Sequence, residues 1–297
     1  MRVSRGPRQR AVPYAFLAPA IILFTLVVLL PIGYTVYLSL HRTRVTGLGL
    51  GRGARTEVFA GLATYRDALA SPEFWRGALR VLGYGAILVP TMLGLALLFA
   101  LLLDLPKSRF ARFNRIAIFL PYAVPGVVAS VLWGFLYLPA LTPLPVPADM
   151  LGPGLLLFAV LNIGLWGGVG FNMVVILTAL RAIPAEVYES ARLDGCSERQ
   201  IALRIKTPLI TPALVMAGVF TVIATLQVYT EPTTLAPLTN SLPSTWTPLM
   251  KVYTDAFVRG DIHSAAAASI VIAVVTLALS VLFLRLVAGR AFAGEDL

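Results

Sequence analysis

The chain has 297 residues, 58% of them apolar, with a mean hydropathy of +0.83 and a formal charge of +10. Soluble domains are only about 45–50% apolar, so this excess excludes a single soluble core and indicates a polytopic membrane protein. The positive charge is almost all Arg, scattered between apolar runs without an aromatic-interleaved patch. That pattern excludes nucleic-acid binding and fits anchoring at anionic lipid headgroups.

A stretch of about 20 apolar residues crosses a bilayer as a helix. In chain order, the N-terminal "MRVSRGPRQR" places Arg2, Arg5, Arg8 and Arg10 ahead of the first such run, roughly Tyr14–Leu40. That run holds Pro19 and Pro31 and is longer than the apolar core of a signal peptide, about 7–15 residues, so it reads as a retained span. Five more runs follow, at Val81–Leu103, Ile116–Leu138, Gly154–Leu180, Pro208–Tyr229 and Ser264–Leu284, and none of the six contains Asp, Glu, Lys or Arg. Backbone groups in hydrocarbon must be satisfied within the segment, so each run is expected to be a helix and the fold all-α. Residues 1–297 read as one membrane domain.

Fifteen of the 24 Lys and Arg fall inside if both termini are cytoplasmic, which favours that orientation. The first outer loop, with seven Arg, fits the rule poorly. Within it, Leu69, Phe74, Trp75, Leu79 and Leu82 are spaced for an interfacial amphipathic helix. The loop after the third run is proline-rich ("LPALTPLPVPADM"). One cysteine, Cys196, precludes an internal disulfide. His41 and His263 are far apart in sequence and read as interfacial residues, so no metal site is expected. No catalytic Ser/His/Asp set or paired intramembrane carboxylates appear, and there is no G-x-x-x-x-G-K-[ST] phosphate cradle.

The run "ESARLDGCSERQIALRIKTP", Glu189–Pro208, interrupts this greasy pattern with dense charge. Pro184 suits a first helical position, and Glu186 and Glu189 complement the dipole of the helix that follows. Gly195 suits a left-handed stop. Ser197 and Gln200 match a capping box that opens a second helix. Val187, Tyr188, Ala191 and Leu193 interleave the charges. Two short helices with a glycine elbow result, either a solvated loop or a surface that docks another protein.

This stretch resembles the EAA loop of permease subunits of binding-protein-dependent ABC importers. Glu189, Ala191, Asp194, Gly195, Ile205 and Pro208 match the family pattern. Ser190, Cys196 and Thr207 depart from it, and Ala202 stands where an aromatic is common. Other stretches are similar to the family in the same order: "FLAPAIILFTLVVLLPIGYTVYLSL", "FLPYAVPGVVASVLWGFLY", "LWGGVGFNMVVILTALRAIPAEVYESARLDG" and "TDAFVRGDIHSAAAASIVI". His263 stands where the family often has Gly.

The resemblance implies a type I ABC importer permease fold with six transmembrane helices and a cytoplasmic coupling helix, within about 182–208, between spans four and five. It implies a second permease as heterodimeric partner, two copies of a cytoplasmic ABC ATPase that use ATP and Mg, and an extracytoplasmic solute-binding protein. This chain itself would bind no cofactor. It implies that Glu189, Ser190, Ala191, Asp194, Gly195, Cys196, Ile205 and Pro208 serve ATPase coupling. Within the family the chain most resembles the carbohydrate permeases, of the kind that import oligosaccharides, and the related glycerol-phosphate type, and the segment "TLQVYTEPTTLAPLTN" is similar to the fifth-span exit of sugar permeases. Phosphate recognition calls for an inward Arg or Lys, and no span has one, so a neutral sugar or oligosaccharide is expected. Sugar-path candidates are Asn162, Trp166, Gly167, Gly168, Phe171 and Asn172 in span four, and Thr221, Thr225, Gln227 and Val228 in span five. Gly164 and Gly168 suit close helix packing or pore lining equally, and the threonines equally suit bonds to their own helix. Glu231 reads as interfacial. A stand-alone ion-coupled carrier is the alternative. Such carriers commonly hold an ionisable residue inside a span, and none is seen here.

Overall fold

The computed structural model describes residues 7–45, 55–105, 110–141 and 149–291. Arg2, Arg5, Arg52, Lys107, Arg109 and the prolines of 142–148 lie outside them. Among the described residues, four helices are long and apolar enough to cross a membrane: Phe16–Ser39, Pro72–Leu103, Leu156–Arg181 and Ile262–Arg285. The third and fifth apolar runs are bent pairs, Ala111–Ala123 with Gly126–Leu136 at 97° and Glu198–Leu209 with Thr211–Leu226 at 68°. Counting each pair as one crossing gives the expected six. The chain forms two compact units, Met1–Ser71 with Val252–Ile272, and Pro72–Lys251 with Ala273–Leu297.

In the first unit, α1 (Pro7–Phe24) passes through a π-helical turn at Thr25–Leu29 into α2 (Leu30–Ser39). The side chains described along this helix are mostly exposed apolar groups, as expected where the solvent is lipid. A departure from the all-α expectation follows. Strands β1 (His41–Val45) and β2 (Arg55–Phe59) pair antiparallel, His41 opposite Phe59 and Thr43 opposite Glu57. Ring contacts run from helix to hairpin: Tyr37 stacks on His41 at 4.0 Å, and His41 meets Phe59 edge-on at 5.5 Å. His263 is buried, its Nδ1 3.0 Å from the Leu38 carbonyl oxygen, so it packs inside the fold.

The second unit begins after α3 (Ala63–Ala70) with α4 (Pro72–Leu103). Pro72 and Glu73 start α4 in the manner favoured at helix N-termini. The separate interfacial helix expected at 69–82 is therefore corrected: Phe74–Leu82 are the opening turns of the second span. Phe74 is buried, while Trp75, Leu79 and Leu82 are exposed. Along α4 the buried residues Val81, Tyr84, Leu88, Met92, Ala96, Ala100 and Leu103 recur every three or four positions and form one face. That face packs on α7 (Leu156–Arg181), which buries Ala159, Val160, Ile163, Met173, Ile176 and Leu180. Without a hydrophobic drive between helices in lipid, close packing of small residues carries such contacts. A Cβ on Gly164 would lie 2.5 Å from Tyr84 Oη, and one on Gly168 would lie 2.5 Å from Met92 Cε.

Proline explains both bends. Between α5 (Ala111–Phe119) and α6 (Gly126–Leu136) a 3₁₀ turn, Leu120–Ala123, ends at Val124. Val124 precedes Pro125 and is extended, ψ 126°, because the proline ring disfavours the helical conformation of the residue before it. Pro125 also donates no hydrogen bond. The second bend falls at Ile210, just before Pro212 opens α11 (Thr211–Leu226). The last described helix is Ile262–Ala291.

Candidate functional site

A cavity of about 490 Å³ opens between α4, the bent third run, α7, α11 and α12 (Thr230–Leu235). Gly167, Gly168, Phe171 and Asn172 of α7 line it, as do Thr221, Thr225, Gln227 and Val228. Tyr84, Tyr122 and Glu231 complete the polar and aromatic wall, and Met92 adds an apolar patch. Tyr122 and Phe171 stack at 4.8 Å, giving the cavity a flat aromatic face. Asn172 donates to the Gly168 carbonyl at 3.1 Å, and its Oδ1 lies 3.4 Å from Thr221 Oγ1. Thr221 and Thr225 also donate to the Ala217 and Thr221 carbonyls of their own helix. The threonines thus do both things the sequence left open, and so does Gly168, which packs on Met92 and lines the cavity.

Two expected path residues lie elsewhere. Asn162 donates to Tyr137 Oη at 2.8 Å, and that hydroxyl donates to the Ala159 carbonyl at 3.1 Å. Trp166 meets Trp133 edge-on at 6.0 Å. Helical spacing turns both away from the face that carries Gly164, Gly168 and Asn172. Asn162→Ala is expected to lower stability by about 1–3 kcal/mol, through the partner lost to the buried Tyr137 hydroxyl, and to leave ligand affinity unchanged. Melting and binding measured on one detergent preparation separate the two effects.

Glu231 was missed as a cavity residue. Burial in the short helix after α11 pushes its carboxyl above the usual range, against a smaller opposing backbone hydrogen bond. The folded state therefore favours the neutral acid. That stabilising contribution is fully present below the ordinary carboxylate value and is lost as pH rises through the raised one. The melting temperature is expected to fall across that interval in the native chain and to stay flatter in Glu231→Gln; equal slopes would count against it.

The charged insert forms the second candidate element. Pro184 is the cap residue of α8 (Ala185–Leu193), one position earlier than expected. The helix closes on Gly195 at φ +80°, with Gly195 N–H donating to the Arg192 carbonyl and Cys196 N–H to Ala191, each at 3.0 Å. This is the Schellman arrangement that a left-handed residue permits. Ser197 and Gln200 form the capping box of α9 (Glu198–Gln200). A π-helical segment, Ile201–Lys206, then leads into α10 (Thr207–Leu209). Glu189, Ser190 and Asp194 are exposed and Cys196 half-buried, whereas Ala191 is buried. Ile205 is half-buried and Pro208 exposed. Arg192 and Glu198 bridge the elbow at 2.8 Å, an exposed pair of the kind that contributes little to stability.

Residues 92–290 match the family of binding-protein-dependent transport system inner membrane components. The chain belongs to that family. It is 30% identical over 281 residues to the probable ABC transporter permease protein PH1215 of Pyrococcus horikoshii, covering 89% of this chain and 92% of the relative. It is 29% identical to the sn-glycerol-3-phosphate transport system permease protein UgpA of Agrobacterium fabrum, covering 96% and 98%. The fold is shared with a chain in the crystal structure of a bacterial ABC transporter that imports the acidic polysaccharide alginate. The TM-score there is 0.77 at 20% identity, with 94% of this chain and 96% of that one covered. A second structure of an alginate ABC transporter, in complex with a pentasaccharide-bound periplasmic protein, gives a TM-score of 0.79 at 20% identity. The type I importer permease architecture and the transport role expected from the EAA resemblance therefore hold. The stand-alone carrier gives way to a subunit of a binding-protein-dependent system in the inner membrane.

Proposed function

We propose that this permease forms half of the translocation path of an importer for a sugar or oligosaccharide. The carrying observation is the cavity wall: stacked Tyr122 and Phe171, the amide of Asn172, the hydroxyls of Thr221 and Thr225, and no Lys or Arg. Stacked rings and sparse hydrogen-bonding groups suit a polyol, whereas phosphate recognition favours a cation. A second permease completes the path. Both termini face the cytoplasm, and two copies of an ABC ATPase dock, one on α8 of this chain through Glu189, Ser190, Ala191, Asp194, Gly195 and Cys196. Ile205 and Pro208 seat the element on the fifth span. The ATPase supplies ATP and Mg chemistry, and this chain binds no cofactor of its own.

The test is to purify the tagged chain from mild-detergent membranes and identify what accompanies it, then to screen neutral and acidic sugars with the co-purified assembly in proteoliposomes. A second six-span permease, a P-loop ATPase and ATP-dependent uptake of a neutral sugar are expected. A chain that purifies alone under conditions preserving other membrane complexes sinks the assembly. Uptake confined to anionic ligands sinks the substrate class.

A further inference from the structure

Lys206 is the anomaly of the charged insert. Its neighbour Arg204 is exposed, yet Lys206 is 4% exposed. Its Nζ lies 2.5 Å from Asp104 Oδ2, and Asp104 is itself only 12% exposed. The pair joins positions 102 residues apart. A lysine reaches burial here because the segment is π-helical: the wider turn, marked by the Thr207 backbone N–H donating to the Ala202 carbonyl five residues back, rotates Lys206 off the exposed face. Such bulges concentrate at functional positions.

Asp104 is out of place by the same logic. It follows the last residue of α4, where the helix dipole disfavours a carboxylate. Lys206 answers that charge. The lysine also stands over the Tyr188 ring at 4.6 Å, a cation–π contact with α8. The Tyr188 hydroxyl donates to the Leu180 carbonyl at 3.2 Å, in the last turn of α7. Burial, followed by Asp104, raises the Tyr188 hydroxyl above its usual range, so it stays the donor this bond requires. Three elements therefore meet at one ammonium, the end of the second span, the start of the fifth and the helix between them, and the Tyr188 hydroxyl ties in the end of the fourth.

We propose that Asp104, Lys206 and Tyr188 form the joint that carries displacement of α8 to the cytoplasmic end of α4. This rests on the reading of α8 as the ATPase-docking helix. An ion pair kept only for stability is replaceable: well-packed apolar residues are often as good. A joint is not, because its role is to make two elements move together.

That difference supplies the test. The complex of the permease with its co-purified ATPase is examined by hydrogen–deuterium exchange, with and without ATP, Mg and vanadate. In the native chain, exchange is expected to change both in α8 and in the last turns of α4, by about fivefold or more, the lower range of coupling between linked sites. In Asp104→Leu with Lys206→Met the α8 response is expected to persist and the α4 response to vanish. Lys206→Arg, which keeps a buried cation, is expected to retain both. Should the double variant fail to accumulate, Tyr188→Leu breaks the link without touching the ion pair and is expected to give the same split. An α4 response that survives in the variant overturns the joint, as does its absence from the native chain while α8 responds. No bound ATPase, or no α8 response in the native complex, instead overturns the docking reading beneath it.

Discussion

Gly170→Ala is expected to lower the melting temperature of the solubilised permease more than an alanine at any other glycine of α7. A Cβ at Gly170 would overlap the Ile118 carbonyl oxygen and the Phe119 Cα, both backbone. Backbone of the bent third run cannot swing aside as a side chain does, and overpacking of this kind costs about 1–3 kcal/mol, occasionally more. Alanine gains about 1 kcal/mol over glycine in a helix interior, which only partly offsets the overlap. The other glycines of the cluster order themselves by the same logic. At Gly167 nothing lies within 4 Å of an added Cβ, so Gly167→Ala keeps the helix gain and is expected to melt at or above the native temperature. Gly164 and Gly168 meet Tyr84 Oη and Met92 Cε, flexible ends that yield, so they fall between. Thermal melts of the four variants in one detergent decide it; a Gly170→Ala chain as stable as Gly167→Ala sinks the packing account.

At the elbow, Gly195→Val is expected to cut ATP-driven uptake about tenfold while membrane abundance stays near native. No atom lies within 4 Å of the added Cβ, so crowding plays no part. The cost is conformational: φ +80° penalises an L-residue by about 1–2 kcal/mol, and a β-branched one at the upper end. Each ~1.4 kcal/mol lowers the closed-to-open ratio of the elbow tenfold, and under the proposed docking only the closed form presents α8 to an ATPase. Gly195→Asn separates conformation from size, because asparagine tolerates the left-handed region. It is expected to keep most of the uptake. Equal losses in both variants would move the cause from backbone to surface chemistry.

The elbow was the most legible part of the molecule. Pro184, Gly195 and the Ser197–Gln200 pair act locally, so their effect is written in adjacent residues. The six runs were legible for the same reason, since bilayer thickness sets their length. Their shapes were less so. Pro121, Pro125 and Pro212 stood in plain view, but the run-length rule counts apolar residues without asking whether a helix continues through them. The β1–β2 hairpin was hidden by the basic composition of its strands, which lack the alternation that marks a strand. Residue type alone makes Asn162 and Trp166 path candidates, whereas their position on the helix turns them to Tyr137 and Trp133 and away from this cavity. Glu231 was set aside because it lies past the end of the fifth run, although the chain folds back over the cavity there. Asp104 and Lys206 carried no signal at all. Each looks like an ordinary interfacial charge, and only the fold brings them together across the chain.

The bend in the third run bears on how the protein is made. Its two arms meet at 97°, and the 3₁₀ turn at the corner packs on α7. During synthesis, Leu120–Ala123 leaves the ribosome well before Leu156 opens α7. The corner breaks the backbone ladder at Val124 and Pro125, so for that interval the segment has neither a continuous hydrogen-bonded helix to offer the lipid nor its packing partner. The third segment is therefore expected to settle in the bilayer only when the fourth arrives to pack on its corner.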